Sequence, residues 1–385
     1  MNSPLSSDQP RWDIFCVVID NYGDIGVCWR LARQLVAEHG MAVRLWVDEL
    51  HALQKIQPAT RIQARQMLAG VEVCQWLPET DFSQVEVAAV VVEAFACDIP
   101  PDYLARMAER AQAPHWFNLE YLTAETWAKE CHGLTSIHAR YGLQKVFFFP
   151  GFEAGMGGLI REQHILTERD ELQGNRELRA AFLRGLGVEP VPGARLLSLF
   201  AYENAALPSL FRAMENGDEP THVLVPEGRV MADVSAYLGQ HPVPGQLISR
   251  GNLHVQALPF MAQQDYDRLL WCCDMNCVRG EDSFVRAQWA ATPLLWHIYV
   301  QEDAAHLVKL QAFLDIYCAQ LPAPVAAAVQ GFWSAWNRGE DCGSHWQAFI
   351  RHWPALRQHA RDWSAQQVAN GDLASNMVQS CLNLI

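Results

Sequence analysis

The apolar positions of the chain fall in short continuous runs separated by amphipathic stretches. Residues 14–19 (I-F-C-V-V-I) are six apolar positions in a row, the pattern of a strand buried on both faces. Asp20 ends that run, and Asn21, Tyr22, Gly23, Asp24 and Gly26 read as a turn. From residue 27 the period becomes helical. Val27, Leu31, Leu35 and Val36 share one stripe, and Gly40 stops the helix after His39. Further strands are predicted at 41–47, 71–76, 85–92, 115–119 and 144–149, while 57–69 reads as a loop with some helix. Residues 168–185 read as a charged helix. Residues 187–193, with two prolines and two glycines, read as a linker.

A second alternating series follows. Strands at 195–201, 221–225, 253–258, 275–278 and 294–298 alternate with helices at 205–215, 230–238, 264–273 and 284–291, and the chain past Glu302 reads as helical. Two βαβ series joined by one linker predict an α/β protein of two Rossmann-like domains facing each other across a cleft. The first would occupy 11–190 and the second 191–365, with residues 1–10 a disordered tail.

Composition narrows the classes. A length of 385 residues suits two domains, and 50% hydrophobic residues leave ample core. The net charge of −14 opposes binding to nucleic acid and to an anionic membrane surface. Residues 1–10 lack a basic segment and an apolar core, so no secretory leader is expected. The apolar run at 87–97 contains Glu93 and is too short to span a bilayer. Eleven scattered cysteines with no CxxC pair predict free thiols in a reducing cytoplasm rather than disulfides or a zinc site.

Two stretches carry candidate chemistry. Asp20 and Asp24 bracket a glycine turn where a strand ends and a helix begins, the place where open α/β sheets bind ligands. Two nearby carboxylates suit a base with an orienting partner, or capture of a cation; the competing reading of Asp24 is a helix N-cap. The second stretch is R-G-E-D-S-F-V-R from Arg279. Gly280 permits a tight turn, and the amides of Asp282 and Ser283 at a helix start favour an anion. Arg279 and the Ser283 hydroxyl could bind phosphate, and Glu281 a ribose diol, so a nucleoside-diphosphate loop competes with an ordinary cap. The Asp265-Tyr266-Asp267 triplet opens a helix and reads as dipole complement rather than a metal site. The glycine run at 151–158 lacks G-K-[ST] and reads as a connector. His297 and His306 do not have zincin spacing.

Several long motifs then coincide. I-D-N-Y-G-D-I-G-V-C-W-R-L-A-R from Ile19, E-A-F-A-C-D-I-P from Glu93 and N-L-E-Y-L from Asn118 are followed by G-G-L-I-R-E from Gly157. L-P-F-M-A-Q-Q-D-Y-D from Leu258, V-R-G-E-D-S-F-V-R-A-Q from Val278 and L-L-W-H-I-Y from Leu294 complete the set. In this order, over 14–306, they closely resemble the EarP family of protein-arginine rhamnosyltransferases. The resemblance implies an inverting, metal-independent GT-B glycosyltransferase without cofactor. It implies dTDP-β-L-rhamnose as donor, and as acceptor one arginine of elongation factor P, which then relieves ribosomes stalled at consecutive prolines. By analogy with GT-B folds, a helix at about 366–385 would cross back to the first domain. Carried over by position, Asp20 and Asp24 match two essential aspartates, Asp24 as general base, and Glu281 an essential donor-site glutamate. Arg279, Gly280, Asp282 and Ser283 match the pyrophosphate loop, Phe260 and Gln263 the thymine-holding positions, and Tyr202 a donor-site tyrosine. The alternatives are a GT-B transferase with another nucleotide sugar or acceptor, and a non-catalytic nucleotide-sugar-binding protein.

Overall fold

A computed structural model describes residues 10–19 and 22–382, with Glu302 described by its backbone alone. The tail expected at 1–10 lies outside the described residues save Pro10. The chain forms two compact units, Met1–Gln163 with Gln367–Ile385, and His164–Gln366.

The first unit is built in the order β1 (Arg11–Cys16), α1 (Gly23–His39), β2 (Ala42–Val47), α2 (Leu50–Ile56), β3 (Arg65–Leu68), β4 (Val71–Gln75) and β5 (Val90–Ala94). It continues with α3 (Pro101–Glu109), β6 (His115–Leu119), α4 (Thr126–Cys131), β7 (Thr135–Ile137) and β8 (Gln144–Phe148). Its sheet has the order β3-β4-β2-β1-β5-β6-β8-β7, parallel except for the two edge strands β3 and β7. β1 lies centrally, with Ile14, Phe15 and Cys16 fully buried.

β1 begins and ends three residues earlier than the apolar run suggests. It can begin earlier because Asp13 is paired across the sheet. Its register partner Arg44 donates Nε to it at 2.8 Å, and the Tyr103 hydroxyl donates to it as well. A buried carboxylate needs such partners. β1 stops at Cys16 because the next amides are taken by side chains. Val18 N–H donates to Asp48 at 3.0 Å and Ile19 N–H to Asp24 at 2.8 Å, while Ile19 itself is exposed. Burial raises the Asp48 carboxyl above its ordinary pKa, partly offset by the amides it accepts.

The second unit comprises α5 (Ile165–Gly174), α6 (Arg176–Gly185), β9 (Arg195–Leu199), α7 (Leu207–Glu215), β10 (Thr221–Pro226), α8 (Met231–Leu238), β11 (Leu247–Arg250) and β12 (Leu253–Leu258). It continues with α9 (Gln263–Cys272), β13 (Met275–Arg279), α10 (Asp282–Ala290), β14 (Leu294–His297), α11 (Ala305–Tyr317), α12 (Ala323–Arg338), α13 (Gly343–Ile350) and α14 (Trp353–Ala369), in which the chain passes back to the first unit. Its sheet has the order β11-β12-β10-β9-β13-β14, with β11 antiparallel. The helix expected at 168–185 is broken at Asn175, whose side chain caps α6 by accepting the amides of Glu177 and Leu178. These two helices belong to the second unit. Gln173 donates to the Trp271 and Ala290 carbonyls, and Arg179 to that of Cys272. The division between units therefore falls at Gln163/His164, ahead of the linker expected at 187–193. All the C-terminal tryptophans but the partly buried Trp353 are core. Trp333 and Trp336 are fully buried, and Phe313, Tyr317, Trp333 and Trp363 pack ring against ring.

The last helix, α15 (Leu373–Leu382), is seated on the first unit by the glycine run. Leu373 N–H donates to the Leu159 carbonyl at 3.1 Å, Asn376 donates to that of Gly157 and Asn370 to that of Phe152. Gln34 of α1 donates to Asp372 at 2.9 Å. Gly158 has φ +74°, and a Cβ there would meet Asn376 Nδ2 at 3.1 Å and the Gly371 carbonyl oxygen at 3.2 Å. Gly158→Ala is therefore expected to destabilise the fold by about 1–3 kcal/mol, read as a lower urea midpoint. No described helix is long and apolar enough to cross a membrane.

Candidate functional site

Both sheets reverse their strand order beside the first strand of each unit. β1 lies between β2 and β5, and β9 between β10 and β13. At such switch points the loops leaving neighbouring strands diverge and leave a crevice at the carboxyl ends. The loops after β1, β5 and β6 in the first unit, and those after β9, β10, β12 and β13 in the second, carry the site residues.

In the first unit Asp24 is 2% exposed, within the first turn of α1. That helix starts at Gly23, earlier than expected, and its N-cap position, Tyr22, makes no side-chain cap bond. Asp24 is therefore not the cap. Its Oδ2 accepts the Ile19 amide at 2.8 Å, and its Oδ1 accepts the Tyr121 hydroxyl at 3.1 Å. The Tyr121 ring stacks on Phe95 at 4.4 Å and 16°. Phe95, Ala96 and Asp98 all have φ between 53° and 57°, a left-handed backbone costing about 1–3 kcal/mol per residue. Phe95 is pinned there by its own amide, which donates to the Leu119 carbonyl at 2.7 Å. A strained loop thus holds one ring beneath the tyrosine that orients the acid. Asp20 lies outside the described residues.

In the second unit Arg279 ends β13 and is 7% exposed. Its guanidinium lies 4.7 Å from the ring centres of both Phe200 and Tyr202. Its Nη1 is buried and has no hydrogen-bond partner among the described residues. Arg279 N–H donates to the Ser283 hydroxyl at 3.1 Å, and that hydroxyl donates to the Arg279 carbonyl. Ser283 therefore holds the turn at Gly280 (φ 60°), and the proton of its hydroxyl is engaged there. Trp296 Nε1 donates to the Gly280 carbonyl at 2.7 Å. Glu281 precedes α10, and Gln263 Nε2 donates to Asp282 at 3.0 Å, tying the starts of α9 and α10. Phe260, half-buried, lies in the loop between β12 and α9, three residues before Gln263. Arg229, ion-paired with Glu203 at 2.8 Å, lies 5.6 Å from the Tyr202 ring.

The structure thus joins Tyr202, Arg279, Gly280, Glu281, Asp282, Ser283 and Gln263 in one neighbourhood, and sets Asp24 in the other unit. A cation among aromatic faces, beside a helix N-terminus, suits a planar base carrying a diphosphate. The Asp265–Asp267 triplet belongs to packing. Asp267 forms a buried bidentate pair with Arg286 at 3.1 and 2.9 Å. Among the described residues no three His, Cys, Asp or Glu side chains cluster as metal ligands would. Sequence reasoning did not single out Tyr121, Phe95 or Arg229. Each follows the carboxyl end of a strand, and that placement was the available signal.

Comparison with known proteins matches residues 12–382 to the family described as Elongation-Factor P (EF-P) rhamnosyltransferase EarP. A protein-arginine rhamnosyltransferase of Pseudomonas putida is 55% identical over 372 residues, covering 96% of this chain and 98% of that protein. One of Shewanella oneidensis is 40% identical over 97% of this chain and 98% of its own length. A structure solved for the structural basis of EarP-mediated arginine glycosylation of translation elongation factor EF-P is 43% identical. It has a TM-score of 0.71, covering 98% of this chain and 100% of that one. A UDP-glucosyltransferase of Polygonum tinctorium, 11% identical with a TM-score of 0.55 over 97% of this chain and 98% of its own, shares the fold alone. That fold is GT-B.

Proposed function

Since this chain belongs to the EarP family of elongation-factor-P rhamnosyltransferases, we propose that it transfers L-rhamnose from dTDP-β-L-rhamnose to one arginine of elongation factor P in the cytoplasm. The transfer is a single inverting displacement without metal or cofactor. The observation that carries the reading is the buried carboxylate of Asp24, held by an amide and a tyrosine hydroxyl at a strand–helix junction. An arginine side chain stays protonated at ordinary pH and is a poor nucleophile. Asp24 aligns the guanidinium and takes one proton as a guanidine nitrogen bonds to the anomeric carbon, while the bond from that carbon to the diphosphate oxygen breaks. Asp20 acts as the second acid. The departing dTDP carries the new negative charge, which Arg279 and the start of α10 stabilise, and Glu281 contacts the donor. Gln263 and Phe260 flank the thymine, and Tyr202 packs against the donor. Ser283 serves by fixing the Arg279 turn.

Two measurements test this. Anomeric NMR of glycosylated elongation factor P made in EDTA should show an α linkage; a β linkage would contradict single displacement, and loss of activity in EDTA would contradict metal independence. Tyr121→Phe removes one bond to Asp24 while keeping the ring on Phe95. It should lower kcat by about 5- to 15-fold and leave dTDP affinity unchanged. A wild-type rate would show that Tyr121 does not orient the acid.

A further inference from the structure

His297 is the last residue of β14 and the direct register partner of Arg279 on β13. Partners in a parallel ladder project to the same face of the sheet, so the imidazole and the guanidinium emerge side by side. The Tyr202 ring lies against both, 5.3 Å from the imidazole and 4.7 Å from the guanidinium carbon. Trp336 also packs on the imidazole, edge to face at 5.6 Å. His297 is only 5% exposed, yet its Nδ1 is buried with no hydrogen-bond partner among the described residues. The neighbouring Arg279 Nη1 is in the same condition. Two buried nitrogens on register partners, each without a hydrogen-bond partner among the described residues, are costly unless a ligand supplies one. Both stand at the carboxyl end of the sheet where a nucleotide sugar is placed.

We propose that His297 is a further donor-site residue, whose Nδ1 donates a hydrogen bond to the diphosphate held at Arg279; this rests on the donor reading above. Burial and the charge of Arg279 depress its pKa to about 3, so the ring reaches the ligand neutral and carries one N–H. A neutral donor beside Arg279 adds a directed bond without repelling the guanidinium.

The test compares dTDP and thymidine binding to wild type, His297→Phe and His297→Asn by titration calorimetry. Phenylalanine keeps a flat ring against Tyr202 and Trp336 but has no donor. The Asn side-chain nitrogen falls near the place of Nδ1. His297→Phe should bind dTDP about tenfold more weakly and thymidine as wild type does, and His297→Asn should recover most of the dTDP affinity. Apo urea midpoints of the two variants separate a folding defect from a lost contact. Equal dTDP affinity in His297→Phe, equal losses for dTDP and thymidine, or an Asn variant as weak as Phe would each overturn the inference. Wild type failing to bind dTDP at all would instead sink the donor reading itself.

Discussion

Asp24→Asn abolishes sugar transfer while leaving donor binding intact: kcat is expected to fall by about 10³-fold, within the range general-base removal gives. Asparagine keeps the volume of the side chain, and its carbonyl oxygen still accepts the Ile19 amide. Its amide can donate to the Tyr121 oxygen, so the packing of Tyr121 on Phe95 survives. What disappears is the negative charge that aligns a guanidinium and the basic oxygen that receives its proton. Because Asp24 belongs to the first unit and the Arg279 loop to the second, dTDP affinity should not change. Activity within tenfold of wild type would remove Asp24 from the chemistry. Loss of dTDP binding would mean that the substitution disturbs more than the acid.

Arg279→Lys is expected to weaken dTDP binding by about 10- to 100-fold, the worth of charge-assisted bonds to a diphosphate. The substitution keeps one positive charge but discards the planar group lying over Phe200 and Tyr202. It also replaces a forked donor by a point charge, which cannot bind a phosphate bidentately. Thymidine, lacking phosphate, should bind the variant nearly as it binds wild type. Calorimetry on both ligands checks this, and an unchanged dTDP affinity would show that Arg279 serves the packing of the aromatic pair and not the anion.

The central strands were legible because apolar residues dominate them and both faces are buried, as Val90–Val92 of β5 and Leu196, Leu197 and Leu199 of β9 show. The short antiparallel edge strands β3, β7 and β11 were not. Each has three or four residues with one exposed face, and nothing in their own composition sets them apart from loops. The start of β1 was hidden by Asp13, whose charge interrupts the apolar pattern; only the partner strand, carrying Arg44, makes that position tolerable. The Asp24 turn and the Arg279 loop could be found from local residue types at a strand end. What holds them could not, because the partners are distant in sequence. Tyr121 reaches Asp24 only once β6 lies beside β5, and Tyr202 reaches Arg279 only because β9 pairs with β13. The glycine run read as a connector, and its close packing against Asn376 emerges only when the C-terminal helix returns.

The most direct measurement is the intact mass of elongation factor P, with peptide mapping, after incubation with this protein and dTDP-L-rhamnose in EDTA. The account predicts a gain of one deoxyhexose, on a single arginine, absent with Asp24→Asn. No gain, in a preparation shown to bind dTDP-L-rhamnose, would contradict elongation factor P as the acceptor, and a gain on any other residue type would contradict arginine chemistry at Asp24.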